Sequence, residues 1–301
     1  MKNFNLTVLG LLIFSLSFSQ DILENDPYKM NNVYERDQHL EREVVPFPHL
    51  READVMWSRK IWREIDLRQK INHPLYYPQE EESKTVDRSN LFTLLYNAAT
   101  GKDEISIRAF NAEVDDEFQT QMTPAELMTI VEGTEFTVYE KNQWGEDSLD
   151  VNGNKVVLRS DRRNALNQAD IKKWRVKEQW FFDKQRSVMD VRIIGLCPIA
   201  ELRDENTGRL SGKVRPICWF YFNESRQILK KHQIFNLVKN ESENRTYDDI
   251  FLKRMFSSTI TKQGNVYDRS IDRYMIGLDA LLEAERIREE IFNLEHDMWE
   301  Y

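Results

Sequence analysis

The side chains best suited to nucleophilic, redox or metal chemistry are two cysteines, Cys197 and Cys218, and five histidines, His39, His49, His73, His232 and His296. Their spacing supports little of that chemistry. No histidine stands at metal-ligand distance in sequence from another histidine or from a cysteine. His73 precedes a proline where a helix is expected to stop, which suits a contact with a helix C-terminus better than catalysis. Asp147, Asp150, Asn152 and Asn154 around Gly153 bear a passing likeness to a calcium loop. The acidic spacing is wrong, no glutamate closes it, and a hairpin turn accounts for the residues. Glycine numbers only ten, with no dinucleotide fingerprint, phosphate loop or nucleophile elbow. Charged residues make up 31% of the chain, so acid–base pairs are expected on a solvated surface and single out no site. These observations point to no enzyme and no cofactor, and leave packing and partner surfaces as the use of the residues.

One stretch of charge is organised. Arg159, Arg162, Arg163, Lys172, Lys173, Arg175 and Lys177 are offset only by Asp161 and Asp170. The chain carries net charge −9, which argues against nucleic acid as the ligand. In an acidic protein such a segment can meet acidic surface on a neighbouring copy, with Arg162, Arg163, Lys172 and Lys173 as candidate contacts.

The elements expected to position these residues define an α+β body over residues 51–301. The stripe Trp57, Ile61 and Ile65, with Val55 and Trp62 beside it, predicts a helix from Arg51 to Ile71, ended by Asn72-His73-Pro74. Tyr76-Tyr77-Pro78 should run extended. Ser89 is expected to cap a short helix closed by Gly101. Ile105 to Phe110 reads as a strand, and Thr123-Pro124-Ala125-Glu126 as a capping box opening a helix that ends near Gly133. Thr134 to Lys141 predicts a strand, and Leu149 to Leu158 a hairpin turning at Asn152-Gly153.

The centre reads as an antiparallel meander. Trp174, Val176, Glu178, Trp180 and Phe182 should share one side of its first strand, followed by strands at Val188 to Pro198 and Val214 to Phe222. If the last turn centres near Thr207 and Gly208, Cys197 and Cys218 come roughly opposite each other, as a disulfide needs. Pairing with each other, pairing with a partner, and free thiols all stay open. Asn223 and Thr246 are expected to cap two further helices, reaching about Lys231 and Phe256, and a long acidic helix should run from Ser270 to the end.

The start of the chain differs. Lys2, the apolar run Leu6 to Phe18 and the small residues Ser17 and Ser19 read as a signal peptide over 1–19, cleaved before Gln20. The residue directly after the cleavage point is Gln20 and not a cysteine, so no lipidation is expected. Residues 20–50 hold seven acids against three bases, are broken by Pro27, Pro46 and Pro48, and keep scattered hydrophobes. They read as an extended arm ordered by contact with a partner, through Tyr28, Tyr34, Val45 and Phe47.

Three segments carry a resemblance: 56–78 (MWSRKIWREIDLRQKINHPLYYP), 174–194 (WRVKEQWFFDKQRSVMDVRII) and 264–301. Together they resemble the gliding-motility family GldN, also called PorN. The resemblance implies a periplasmic structural subunit of the type IX secretion system. It also implies rings built with further copies and a GldK/PorK-type lipoprotein beneath the outer membrane, in contact with GldL/GldM-type motor proteins. It brings no catalytic residue and no cofactor. A periplasmic enzyme and a soluble ligand-binding module remain the alternatives, recognisable by a closed pocket with perturbed titratable groups or by an apolar cavity with convergent polar groups.

Overall fold

Trp57, Ile61 and Ile65 lie four residues apart, a spacing that suits a helix face but is also even. An even spacing keeps all three on one side of a strand. The computed structural model describes residues 42–79, 89–139, 155–163, 165–203, 210–234 and 245–297, and it places Val55–Asp66 in a 12-residue strand, β1. The expected helix over 51–71 is therefore corrected to a strand. β1 is paired on both sides, and its tryptophans and isoleucines suit a pleated surface with packing on each face. Among its interspersed charges, which imitate the polar faces of a helix, Arg63 meets Glu178 and Glu64 meets Lys173 and Arg175 on a neighbouring strand.

After β1, Asn72-His73-Pro74 opens a short helix, α1 (His73–Tyr76), with the proline in its first turn, where no amide hydrogen is needed. α2 (Leu91–Thr100) is capped by Asn90, whose side chain accepts from the Thr93 amide; Ser89 is not its cap. Gly101 ends it at φ +74°, the left-handed geometry expected there. The strand expected over 105–110 shrinks to β2 (Ala109–Asn111), which pairs with the two-residue β3 (Gln121–Met122). The capping box of Thr123 and Glu126 is present and opens α3 (Pro124–Glu132). β4 (Thr134–Tyr139) and β5 (Val157–Arg163) form a separate two-stranded sheet. The hairpin turn expected at Asn152-Gly153 and the calcium-like stretch before it lie outside the described residues.

The meander is observed as β6 (Ile171–Asp183) and β7 (Val188–Arg203), continued by β8 (Leu210–Pro216) and β9 (Cys218–Tyr221). Its expected last strand is thus split at Ile217, whose amide donates to the Pro198 carbonyl. α4 (Phe222–Lys231) follows β9 at once; Asn223 lies inside it and its N-cap position is Tyr221. Thr246 and Asp249 form a capping box on α5 (Tyr247–Leu252), which stops short of Phe256. An edge strand the sequence did not suggest, β10 (Thr259–Gln263), completes a sheet ordered β10-β1-β6-β7-β9-β2-β3, with β8 on β7. The long helix is shorter than expected. Ile271–Arg273 form a 3-10 turn, Gly277 takes φ +61°, and α6 runs Leu278–Asp297.

One face of the sheet carries Ile65, Trp174, Val176, Leu196, Cys218 and Phe220 against α2, α4 and α5 in the main core. Further along, Ile61 and Ile260 receive Ala284, Ile287 and Ile291 of α6. These three helical residues are three and four apart, the narrow stripe of a helix lying on a sheet. The opposite face packs Trp62, Phe110, Cys197 and Trp219 with Phe118. Gly195 of β7 is required there, because a Cβ would collide with the Phe118 ring.

This layering decides the cysteines. β7 and β9 pair Gly195 with Tyr221 and Leu196 with Phe220, a register that sets Cys197 against Trp219. Cys218 is one position away, and one position in a strand is the other face. The disulfide candidate is corrected: both thiols are free and fully buried, in cores on opposite sides of the sheet. Burial pushes Cys197 up to about 12 and raises Cys218 well above the ordinary thiol value. Thiol titration should find both groups inert in the native protein and two reactive thiols per chain in denaturant. A single denatured thiol count of zero without reductant would show that they pair after all.

Candidate functional site

Glu178 stands in the middle of β6 on the aromatic face expected for it and has no exposed surface. Burying a carboxylate there requires compensation, and two arginines from distant parts of the chain and a tryptophan of the same strand supply it. Arg254, just beyond α5 at φ +52°, reaches its two oxygens at 2.9 and 3.1 Å. The Trp180 indole donates to it at 3.1 Å, and Arg63 Nε of β1 lies 3.2 Å away. Both guanidinium groups also lie against the Trp180 ring, at 5.8 Å for Arg63 and 5.4 Å for Arg254. Burial lowers the Arg63 pKa; Glu178 opposes this, while the positive charges of Arg254 and Arg288 add to it. Above the cluster opens a cleft of about 650 Å³, walled by Trp180, Phe256 and Phe292. The arrangement holds charge in place. The sequence hinted at it by placing an acid among tryptophans on an inward face.

On the other face, Glu64 accepts from Arg175 at 2.8 Å and Lys173 at 3.1 Å. Lys177 is almost wholly buried, donates to Asp116 and lies 5.2 Å from the Trp62 ring centre. Lys262 lies over the same ring at 4.4 Å and pairs with Asp268 at 2.6 Å. The basic segment of the sequence is therefore divided. Lys172 hydrogen-bonds the Tyr76 hydroxyl at 3.2 Å, and Lys173 is committed to Glu64. Arg162 and Arg163 sit on β5 of the small sheet, opposite Glu135 and Thr134 in register. Beside the acid–base pairs expected on a solvated surface, the fold buries Arg63, Lys177, Glu178, Arg226 and Asp248.

These pairs give the fold an acid limit. Burial pushes the Glu64 carboxyl up, but the hydrogen bond and charge of Arg175, then Lys173, bring it below its ordinary value. The Arg68 hydrogen bond lowers Asp66, and the Arg108 hydrogen bond lowers Glu224. A carboxyl lowered on folding stabilises the native state fully above its unfolded pKa, about 4 for these groups. That contribution is lost as pH falls through the folded values. Urea midpoints should hold steady from neutrality to about pH 5 and fall progressively below about pH 4. A midpoint independent of pH in that lower range would contradict the assignment.

The described end of the arm lies on the body. Phe47 packs against the main core, with the Arg226 guanidinium 4.5 Å and that of Arg192 5.2 Å from its ring centre. Arg42 pairs with Asp249 at 2.7 Å. Val45 is exposed, while Tyr28, Tyr34 and the expected signal peptide lie outside the described residues. His73 stacks edge-on against Tyr77, and His49 is exposed. Among the described residues, no three His, Cys, Asp or Glu side chains are grouped to hold a metal.

Exposed apolar residues concentrate at one region. Val266, Tyr267 and Ile276 precede α6, and Leu278, Leu281, Leu282 and Phe292 lie on it, all more than half exposed. No helix among the described residues is long and apolar enough to cross a membrane.

A search among curated proteins returns no match to this sequence. The family model described as "Gliding motility associated protein GldN" matches residues 50–300, so it spans β1, the whole of the main sheet and α6. The chain belongs to the GldN family of gliding motility associated proteins.

Proposed function

We propose that this component of the gliding-motility machinery is a non-enzymatic structural subunit of the type IX secretion system. In this reading the chain is exported, loses residues 1–19 and stays in the periplasm. It is held at the inner face of the outer membrane by a GldK/PorK-type lipoprotein. Further copies and that lipoprotein complete a ring, and GldL/GldM-type motor proteins touch it. Family membership supports the machinery. The observation that carries the structural role is the apolar surface of α6. That helix buries only Ala284, Ile287 and Ile291, and leaves Leu278, Leu281 and Leu282 in solvent. Large aliphatic groups clustered this way favour a protein neighbour, since each gains from leaving water.

The test is a double substitution, Leu278→Asp with Leu282→Asp, in cells. Both residues are exposed, so the subunit should fold and reach normal abundance. Affinity purification from native envelopes, with mass spectrometry of co-purifying chains, should show several-fold less lipoprotein partner than wild type. Secretion should fall in parallel. Wild-type recovery of the partner would overturn the role given to this surface.

A further inference from the structure

The chain docks a short extended segment of its own on the folded body. Residues 42–50 have no regular structure, and among the described residues none of them takes part in a main-chain to main-chain hydrogen bond. Side-chain contacts hold them instead. Arg42 pairs with Asp249 of α5, the Phe47 ring meets the guanidinium groups of Arg226 and Arg192, and Arg192 donates to the Pro48 carbonyl. Val44, Phe47 and Leu50 are half-buried, and the residues between them are exposed. A period of three is one turn of a polyproline II helix, the conformation that Pro46 and Pro48 favour. Such a helix has no internal hydrogen bonds and is largely ordered before it docks.

The receiving side is held together without the segment. Arg226 is fixed by a buried two-point pair with Asp248 at 2.9 and 3.1 Å. Arg192 also lies against Phe181 of β6, 5.2 Å from its ring centre. Both arginines therefore keep partners in the body when Phe47 leaves. Phe47 itself is only partly buried and packs on the main core from outside. A segment held by side chains alone belongs to the low-stability end of a fold, where local opening does not require global unfolding.

We propose that Arg192 and Arg226 form a docking slot for a proline-flanked aromatic segment of polypeptide. Residues 42–50 fill it in the free chain and release as one unit while the body stays folded. The occupant seen in the structure defines the ligand class: an aromatic ring on two guanidinium groups, and the carbonyl of the following proline accepting from Arg192. Release empties the slot for a segment of the same kind from another polypeptide. Failure of this proposal would leave the assembly role of α6 standing, because the two are tested on different residues.

The probe is a fluorescein-labelled peptide of residues 42–50, Arg-Glu-Val-Val-Pro-Phe-Pro-His-Leu-amide, titrated into full-length protein and followed by anisotropy. The Phe47→Ala chain, whose own segment has lost its anchor, should bind it at least about tenfold more tightly than wild type does. In wild type the tethered segment competes at an effective concentration in the millimolar range. The same peptide with alanine in place of phenylalanine should bind the Phe47→Ala chain at least about tenfold more weakly. Adding Arg192→Ala to Phe47→Ala should weaken binding of the unaltered peptide about fivefold. Failure of the peptide to bind the Phe47→Ala chain would overturn the proposal. So would equal binding to wild type and Phe47→Ala, equal binding of the two peptides, or binding indifferent to Arg192→Ala. Urea unfolding of Phe47→Ala, followed by tryptophan fluorescence, should stay cooperative. A chain that no longer unfolds cooperatively would equally overturn the proposal, because the body would then depend on the segment.

Discussion

Glu178→Ala should lose about 3–5 kcal/mol of unfolding free energy, the largest effect expected of a single polar substitution in this protein. The carboxylate contributes less through attraction than through what its removal leaves behind. Arg63 and Arg254 would remain crowded against Trp180 with no counter-charge, and Arg63 is too enclosed for water to replace it. The loss should come with a structural signature, because Arg254 ties the segment after α5 to β6 through this one acid. Adding Arg63→Met to Glu178→Ala should recover part of the stability, since one of the stranded charges is then gone. Urea unfolding of wild type, the single variant and the double variant measures each step. A loss under about 1 kcal/mol in the single variant would mean that the arginines are solvated and the cluster is peripheral.

Trp174→Ala should cost a similar amount, about 3–5 kcal/mol, for a different reason. Its indole is fully buried on β6, opposite Ile65 of β1, in the core shared with α2 and α4. Removing it empties a large volume that two paired strands cannot collapse to fill, so the lost transfer energy and the cavity add. Trp57→Ala is the comparison. Trp57 is only partly buried, on the same strand face near the edge of the α6 contact, and its loss should be well under half as large. Equal losses at the two positions would show that the two ends of the sheet are packed alike, against the division into a main core and a smaller one.

Local signals decided part of this architecture unaided. The capping boxes at Thr123 and Thr246 and the left-handed glycine at 101 were legible because each depends on residues within one turn. The inward face of β6 was legible because strict alternation of Trp174, Val176, Glu178, Trp180 and Phe182 fits only a strand. The resemblance of three segments gave the family, which the match over residues 50–300 bears out. What failed were choices between two patterns that one stretch of chain satisfies equally. Spacing of four along 57–65 fits helix and strand alike, and the charges between these residues look like a helix's solvent faces. Only the neighbours settle it. β6 and β10 supply hydrogen bonds on both edges of β1, Glu178 supplies the partner for Arg63, and Lys173 and Arg175 supply those for Glu64. The cysteines failed for a related reason. Their sequence separation allowed opposition, but a register shifted by a single residue puts the thiols on opposite faces. The buried arginine cluster lay furthest from reach. Its three charged members are separated by 76 residues or more, and no local rule tells a charge that will be buried and paired from one that stays in water. Tertiary contact alone made that distinction, by removing water from around Glu178 and setting two arginines in its place.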